Sequence, residues 1–165
     1  MKLQIQFKKA KDGKCNALRM VRPDGSMEWS YNKTLVQHDL AHFVVESYFG
    51  ITQGFYGEVL NGTPMATLES GGVTKAKAWH QEIFIAEALV GGFQQVMQLG
   101  EGAEMLPKRI MEGCGNQSIE IPTISDEEFA EVCARIRSLW EKWDQIAGGE
   151  SLFLEFEPGT KNASR

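Results

Sequence analysis

The sequence predicts an α+β fold. It calls for a small antiparallel sheet of about four strands, an N-terminal meander plus a C-terminal strand, packed with several helices. Three observations carry this. Polar and apolar residues alternate with period two at both ends of the chain. Two glycine-bearing turns divide the first 31 residues. Between the ends, apolar residues recur at helical spacing behind hydroxyl-bearing starts.

Leu3, Ile5 and Phe7 alternate with Lys2, Gln4 and Gln6, the pattern of a half-buried strand. Lys11-Asp-Gly-Lys is a turn signal, and Ala17-Leu-Arg-Met-Val-Arg is the second strand. Pro23-Asp-Gly-Ser supplies a β-turn before the third strand, Met27-Glu-Trp-Ser-Tyr. Thr34-Leu-Val-Gln37 reads as a capping box that opens a helix running to about Phe49, with Gly50 as a left-handed stop. A short helix is expected in Gln53–Leu60, a loop over 62–73, a long helix over Thr74–Leu99 and a helical turn or two within Ala103–Met111. Residues 113–124 read as irregular, with Cys114 in an exposed loop. Ser125-Asp-Glu-Glu128 is a second capping box. The stripe behind it is Phe129, Val132, Cys133, Ile136, Leu139, Trp140, Trp143, Ile146 and Ala147, and Gly148-Gly149 end it. Leu152, Leu154 and Phe156 form the last strand, matched in alternation to Leu3–Phe7, so the two are expected to pair.

At 165 residues the chain is long enough for one core, and residues 1–165 read as a single domain. Apolar residues at 42% and charged residues at 24% exclude disorder and collagen-like repeats. No apolar run is long enough for a transmembrane helix, and the N-terminus lacks a signal-peptide core. The three cysteines, Cys15, Cys114 and Cys133, are odd in number and widely spaced. That disfavours a disulfide framework and points to a reduced, cytoplasmic setting. Net charge is −5, with eight Lys/Arg against three Asp/Glu in residues 1–36 and five against thirteen in residues 101–157. The overall sign disfavours nucleic acid as a partner, and nothing indicates a membrane. The partner expected is a small molecule whose class the sequence does not specify.

The three histidines are His38, His42 and His80. In His38-Asp-Leu-Ala-His42 the i, i+4 spacing puts both imidazoles about 6 Å apart on one helix face, as two ligands of one metal require. At 100° per residue from His38, His42 falls at about 40°, Glu46 at about 80° and Asp39 at about 100°, opposite Val36, Leu40, Phe43 and Val44. The pattern is similar to the H-E-x-x-H motif of zinc proteins, with Asp39 in place of the glutamate. Asp is one methylene shorter, which sets its carboxylate about 1.5 Å further back. A third ligand comes from His80, Glu87 or Glu46. Glu46 is the poorest partner for His38, since eight residues separate them by about 12 Å along the helix. His80 and Glu87 share a face of the long helix seven residues apart. Packing that face on His38 and His42 would create a metal site, with Asp39 and Glu46 as candidate catalytic carboxylates. The same residues can instead satisfy one another locally, Asp39 with His42 and His42 with Glu46.

His38-Asp-Leu-Ala-His-Phe-Val-Val-Glu46, followed by Gly54-Phe-Tyr-Gly57, resembles the signature of a bacterial family of small proteins with no assigned activity. Members carry H-D-L-x-H-[FY]-x-V-E and then G-F-[YF]-G. The resemblance implies that His38, Asp39, His42, Glu46 and the Gly54–Gly57 turn form the defining feature of the chain. Phosphohydrolases of the HD type need a histidine upstream, and none precedes His38. Neither a phosphate-binding G-x-x-x-x-G-K-[ST] loop nor a dinucleotide fingerprint is present.

The sequence therefore predicts a metal-binding protein, with metal-dependent hydrolysis as its reaction class and zinc as the expected divalent metal. The alternative is a non-enzymatic binding or interaction module whose cluster is structural.

Overall fold

Two strands that each bury one face need a common neighbour, and the ends of this chain supply it for each other. In the computed structural model, which describes residues 1–69, 81–115 and 120–159 apart from the side chain of Asn32, the sheet contains β1 (Leu3–Lys8), β2 (Asn16–Val21), β3 (Met27–Lys33) and β4 (Ser151–Phe156). Its order is β3-β2-β1-β4, with every pair antiparallel. The expected terminal pairing is present in the expected phase, with Leu3 opposite Phe156, Ile5 opposite Leu154 and Phe7 opposite Leu152. Leu3, Ile5, Phe7, Leu18, Met20 and Phe156 line its inner face and are fully buried. Gly25, at φ 83°, gives the β2–β3 turn the left-handed residue it needs.

Among the described residues six α-helices follow the meander: α1 (Val36–Phe49), α2 (Phe55–Leu60), α3 (Met65–Glu69), α4 (Gln81–Leu99), α5 (Leu106–Cys114) and α6 (Asp126–Gln145). A single apolar cluster joins them to the sheet. Phe7 meets Trp143 of α6 edge-on at 6.3 Å, and Phe156 meets Tyr56 of α2 at 5.7 Å. α1 packs against both α4 and α6.

The α6 start is as read from sequence. Ser125 Oγ accepts the Glu128 N–H while Glu128 accepts the Ser125 N–H. Its end comes earlier than the glycines suggest. Lys9 Nζ donates to the Trp143 and Asp144 carbonyls, and Gly149 N–H donates to Lys9. The chain must leave the helix at Ile146 to run beside β1, so Ala147 is exposed rather than part of the stripe. Val132, Cys133, Ile136, Leu139 and Trp143 are buried. Trp140 is half-buried, its Nε1 donating to the Gln37 carbonyl at 2.8 Å.

Other expectations are corrected. Thr34 does not cap α1. Leu35 occupies that position without a side-chain hydrogen bond, because burial of Val36 sets the helix frame. The predicted loop over 62–73 contains α3, anchored by the buried Met65 and Leu68. α5 extends through Cys114, with Pro107 in its first turn where no N–H is missed. Cys114 thus ends a helix, and burial raises its thiol pKa. The first part of the predicted long helix, with His80, lies outside the described residues.

Trp143→Ala should cost about 3–5 kcal/mol, because it removes a buried indole from the sheet–α6 contact. Ser125→Ala should cost about 1 kcal/mol through the lost cap. Denaturant unfolding checks both, and equal, negligible losses would contradict this packing.

Candidate metal centre

α1 is apolar on the side that enters the core and ionisable on the side that meets α4. Two turns of that second side carry His38 and His42, their ring centroids 4.8 Å apart and their planes at 77°. α4 contributes Glu87 and, two turns further on, Gln94 to the same contact.

Each imidazole is held from behind through Nδ1. His38 Nδ1 pairs with Gln94 Oε1 at 2.8 Å, and His42 Nδ1 pairs with Glu46 Oε1 at 3.1 Å. An amide oxygen and a carboxylate are acceptors, so both Nδ1 atoms carry the proton. Both Nε2 atoms then face Glu87. His42 Nε2 lies 3.4 Å and His38 Nε2 3.9 Å from Glu87 Oε2. One donor atom from each of the three residues falls within 4.8 Å of the others, so the cluster could hold a metal ion. Ligands about 2.1 Å from one tetrahedral ion sit about 3.4 Å apart. His42 and Glu87 already meet that spacing, and His38 Nε2 stands 3.9 Å from the same carboxylate oxygen. Orientation of a ligating histidine by a carboxylate or amide at its other nitrogen is the usual outer support of a metal site.

The support behind His42 is unusually fixed. Glu46 has 0% exposure, and its carboxylate also accepts the N–H groups of Phe55 at 2.8 Å and Tyr56 at 3.0 Å. A Cβ at Gly54 would overlap the Glu46 carboxyl, and a Cβ at Gly57 would overlap the Thr52 carbonyl oxygen. Both glycines of Gly54-Phe-Tyr-Gly57 are therefore there for space. Tyr56, fully buried, returns to α1 by donating its hydroxyl to the Asp39 carbonyl at 2.8 Å. The His38–Glu46 and Gly54–Gly57 segments are one hydrogen-bonded unit.

The site residues expected from sequence separate by role. His38, His42 and Glu87 come together. Glu46 stands behind His42 with no exposed surface, where it orients a ring and reaches no substrate. The expected Asp39–His42 pair gives way to another: Asp39 Oδ2 lies 3.0 Å from Lys33 Nζ, which also bonds Glu69 Oε1 at 2.7 Å. A lysine ammonium on the neighbouring strand is the stronger partner for a buried carboxylate. Gln94 and Lys33 were not singled out from sequence. Gln94 had a signal, seven residues after Glu87 and so on the same face, whereas nothing local marks Lys33. His80 lies outside the described residues.

Electrostatics favours a cation here. Burial works against a charged His42, but the hydrogen bonds and charges of Glu46 and Glu87 outweigh it and push the pKa up to about 10. Burial raises the Glu46 carboxyl, with His42 opposing. Burial also raises Asp39 against the pull of Lys33. For the half-exposed Glu87, partial burial is overcome by His42 and His38, which hold its carboxyl below the usual range. The triad opens into a cleft of about 400 Å³, lined also by Lys33, Asp39, Glu69 and Phe55. A larger cleft of about 510 Å³ between α5 and α6 has apolar walls such as Leu106, Ile110 and Phe129, and no histidine or carboxylate lines it. Among the described residues no helix is long and apolar enough to cross a membrane.

No protein-family model, curated protein or solved structure matches the chain.

The raised His42 pKa fixes the sign of a pH effect. Its stabilising contribution is complete below the unfolded value of about 6.5 and fades as pH rises toward about 10. Metal-free protein should therefore lose stability across that window relative to His42→Gln, as read by denaturant unfolding at several pH values. Parallel curves for the two proteins would contradict the Glu46–His42–Glu87 linkage.

Proposed function

We propose that the protein binds a divalent metal through His38, His42 and Glu87, with zinc as the expected ion, and that it is a metal-dependent hydrolase. One observation carries the reading: two imidazoles, each fixed at Nδ1 by an acceptor, present their Nε2 atoms to one carboxylate, and all three residues line one cleft. Two histidines and one glutamate are a known catalytic donor set that leaves a position open for water or substrate. A metal so held would act as a Lewis acid toward a bound carbonyl or phosphoryl group. Glu46 and Gln94 orient the rings. Asp39, paired with Lys33 in the same cleft, is the carboxylate assigned to proton transfer. Glu46 is assigned no catalytic step, because it has no exposed surface.

The resemblance to the bacterial H-D-L-x-H family belongs to this proposal, as does a cytoplasmic setting for a chain whose Cys15, Cys114 and Cys133 are all free thiols. A second reading has its own support. His42 already bridges Glu46 and Glu87, so the cluster is satisfied by protein groups alone, as in a non-enzymatic binding module.

Titration of the stripped protein with Zn²⁺ decides between them. The expected result is one ion per chain, with His42→Ala and Glu87→Ala abolishing tight binding. Glu46→Gln should weaken it about 10- to 100-fold through the ring it orients. Because His42 holds a proton up to pH about 10, affinity should rise about tenfold per pH unit from neutrality toward that value. Absence of zinc binding would favour the module. Zinc binding without turnover of ester, amide or phosphoester substrates would remove the hydrolase and leave the metal site.

A further inference from the structure

The cleft that holds the triad also carries exposed apolar side chains. Tyr31 and Leu35, each 67% exposed, and the half-buried Phe55 line the same cleft as the triad. Apolar and aromatic walls with a few convergent polar groups are the usual composition of a ligand pocket.

Tyr31 is braced from behind. Alternation along β3 turns Ser30 inward and Trp29 and Tyr31 outward. The two rings are parallel within 3°, their centroids 5.7 Å apart. Beyond Trp29, and opposite it in the β2–β3 register, the Arg19 guanidinium lies 5.5 Å from the indole centroid. Arg19 also reaches Gln6 of β1 and Met27 of β3. The stack Arg19–Trp29–Tyr31 thus ends in a tyrosine that is one of the residues lining the cleft. A ring docking on a wall already held in place forfeits little conformational entropy.

Charge narrows the ligand. Asp39, Glu69 and Glu87 line the cleft against Lys33, and Lys33 is already bound to Asp39 and Glu69. A divalent ion only balances these groups, so the cleft holds no surplus positive charge to draw a polyphosphate.

We infer that Tyr31 is the ring-binding wall of the site. The substrate class is an aromatic or heteroaromatic compound whose ring stacks on Tyr31 while an oxygen-bearing group reaches the His38–His42–Glu87 centre. This rests on the metal reading above. The test uses zinc-loaded full-length protein and two probes, acetohydroxamate and benzohydroxamate, which share a metal-binding group and differ by the ring. Calorimetric titration should show benzohydroxamate binding about three- to tenfold tighter, the range of one aromatic stack. Tyr31→Ala should erase that preference and Tyr31→Phe retain it. Affinities for Zn²⁺ and acetohydroxamate should be unchanged in both variants, since Tyr31 is no ligand. Equal binding of the two probes by the unaltered protein, or a ring preference that survives Tyr31→Ala, overturns the inference while leaving the metal site standing. Failure to take up zinc at all overturns the metal reading instead.

Discussion

A carboxylate with no exposed surface must find its partners inside the protein, and Glu46 finds three: the His42 ring and two backbone N–H groups at the start of α2. Each partner fixes a different part of the molecule. The His42 bond sets the ring's tautomer and aims Nε2 at α4. The Phe55 and Tyr56 bonds pin α2 against α1, close enough that only glycine fits at position 54. Removing any one of them would leave a buried acceptor short of a donor, which typically costs about 1–3 kcal/mol. The polar cluster is therefore part of the fold's support as well as its chemistry.

The sheet contributes to the site by its order. β3 is an edge strand, and a register shift opposite Asn16–Leu18 breaks its alternation after Ser30. Lys33 reaches Asp39 and Glu69, Ser30 donates to Glu69 Oε2 at 2.8 Å, and Tyr31 lines the cleft. The cleft is built from three places: the end of the meander, one face of α1 and one face of α4. Each supplies a different chemistry, respectively a cation with an aromatic ring, two imidazoles, and a carboxylate with an amide.

Much of this was legible in the sequence where the determining interactions are local. Period-two alternation placed the first and last strands, two turn signals marked off the middle pair, and the matched phase of Leu3–Phe7 and Leu152–Phe156 gave the terminal pairing. The Ser125 box is a four-residue device, so it could be read directly. The i, i+4 spacing of His38 and His42 follows from helix geometry alone and put both rings on one face. The free alternatives at Asp39 were not decidable locally. Its partner is Lys33, which lies in a different element.

What the sequence determined by itself was the four strands, the α1 and α6 helices, the apolar faces and the presence of one ionisable helix face. These depend on propensities and spacings within about a dozen residues. Tertiary structure alone decided which carboxylate faces the histidines and which stands behind them. It also decided that Gln94 holds His38, where α6 stops, and why Gly54 and Gly57 carry no side chain. Those outcomes turn on distances of a few ångströms between separate elements, set by how α1, α2, α4 and the sheet edge pack together.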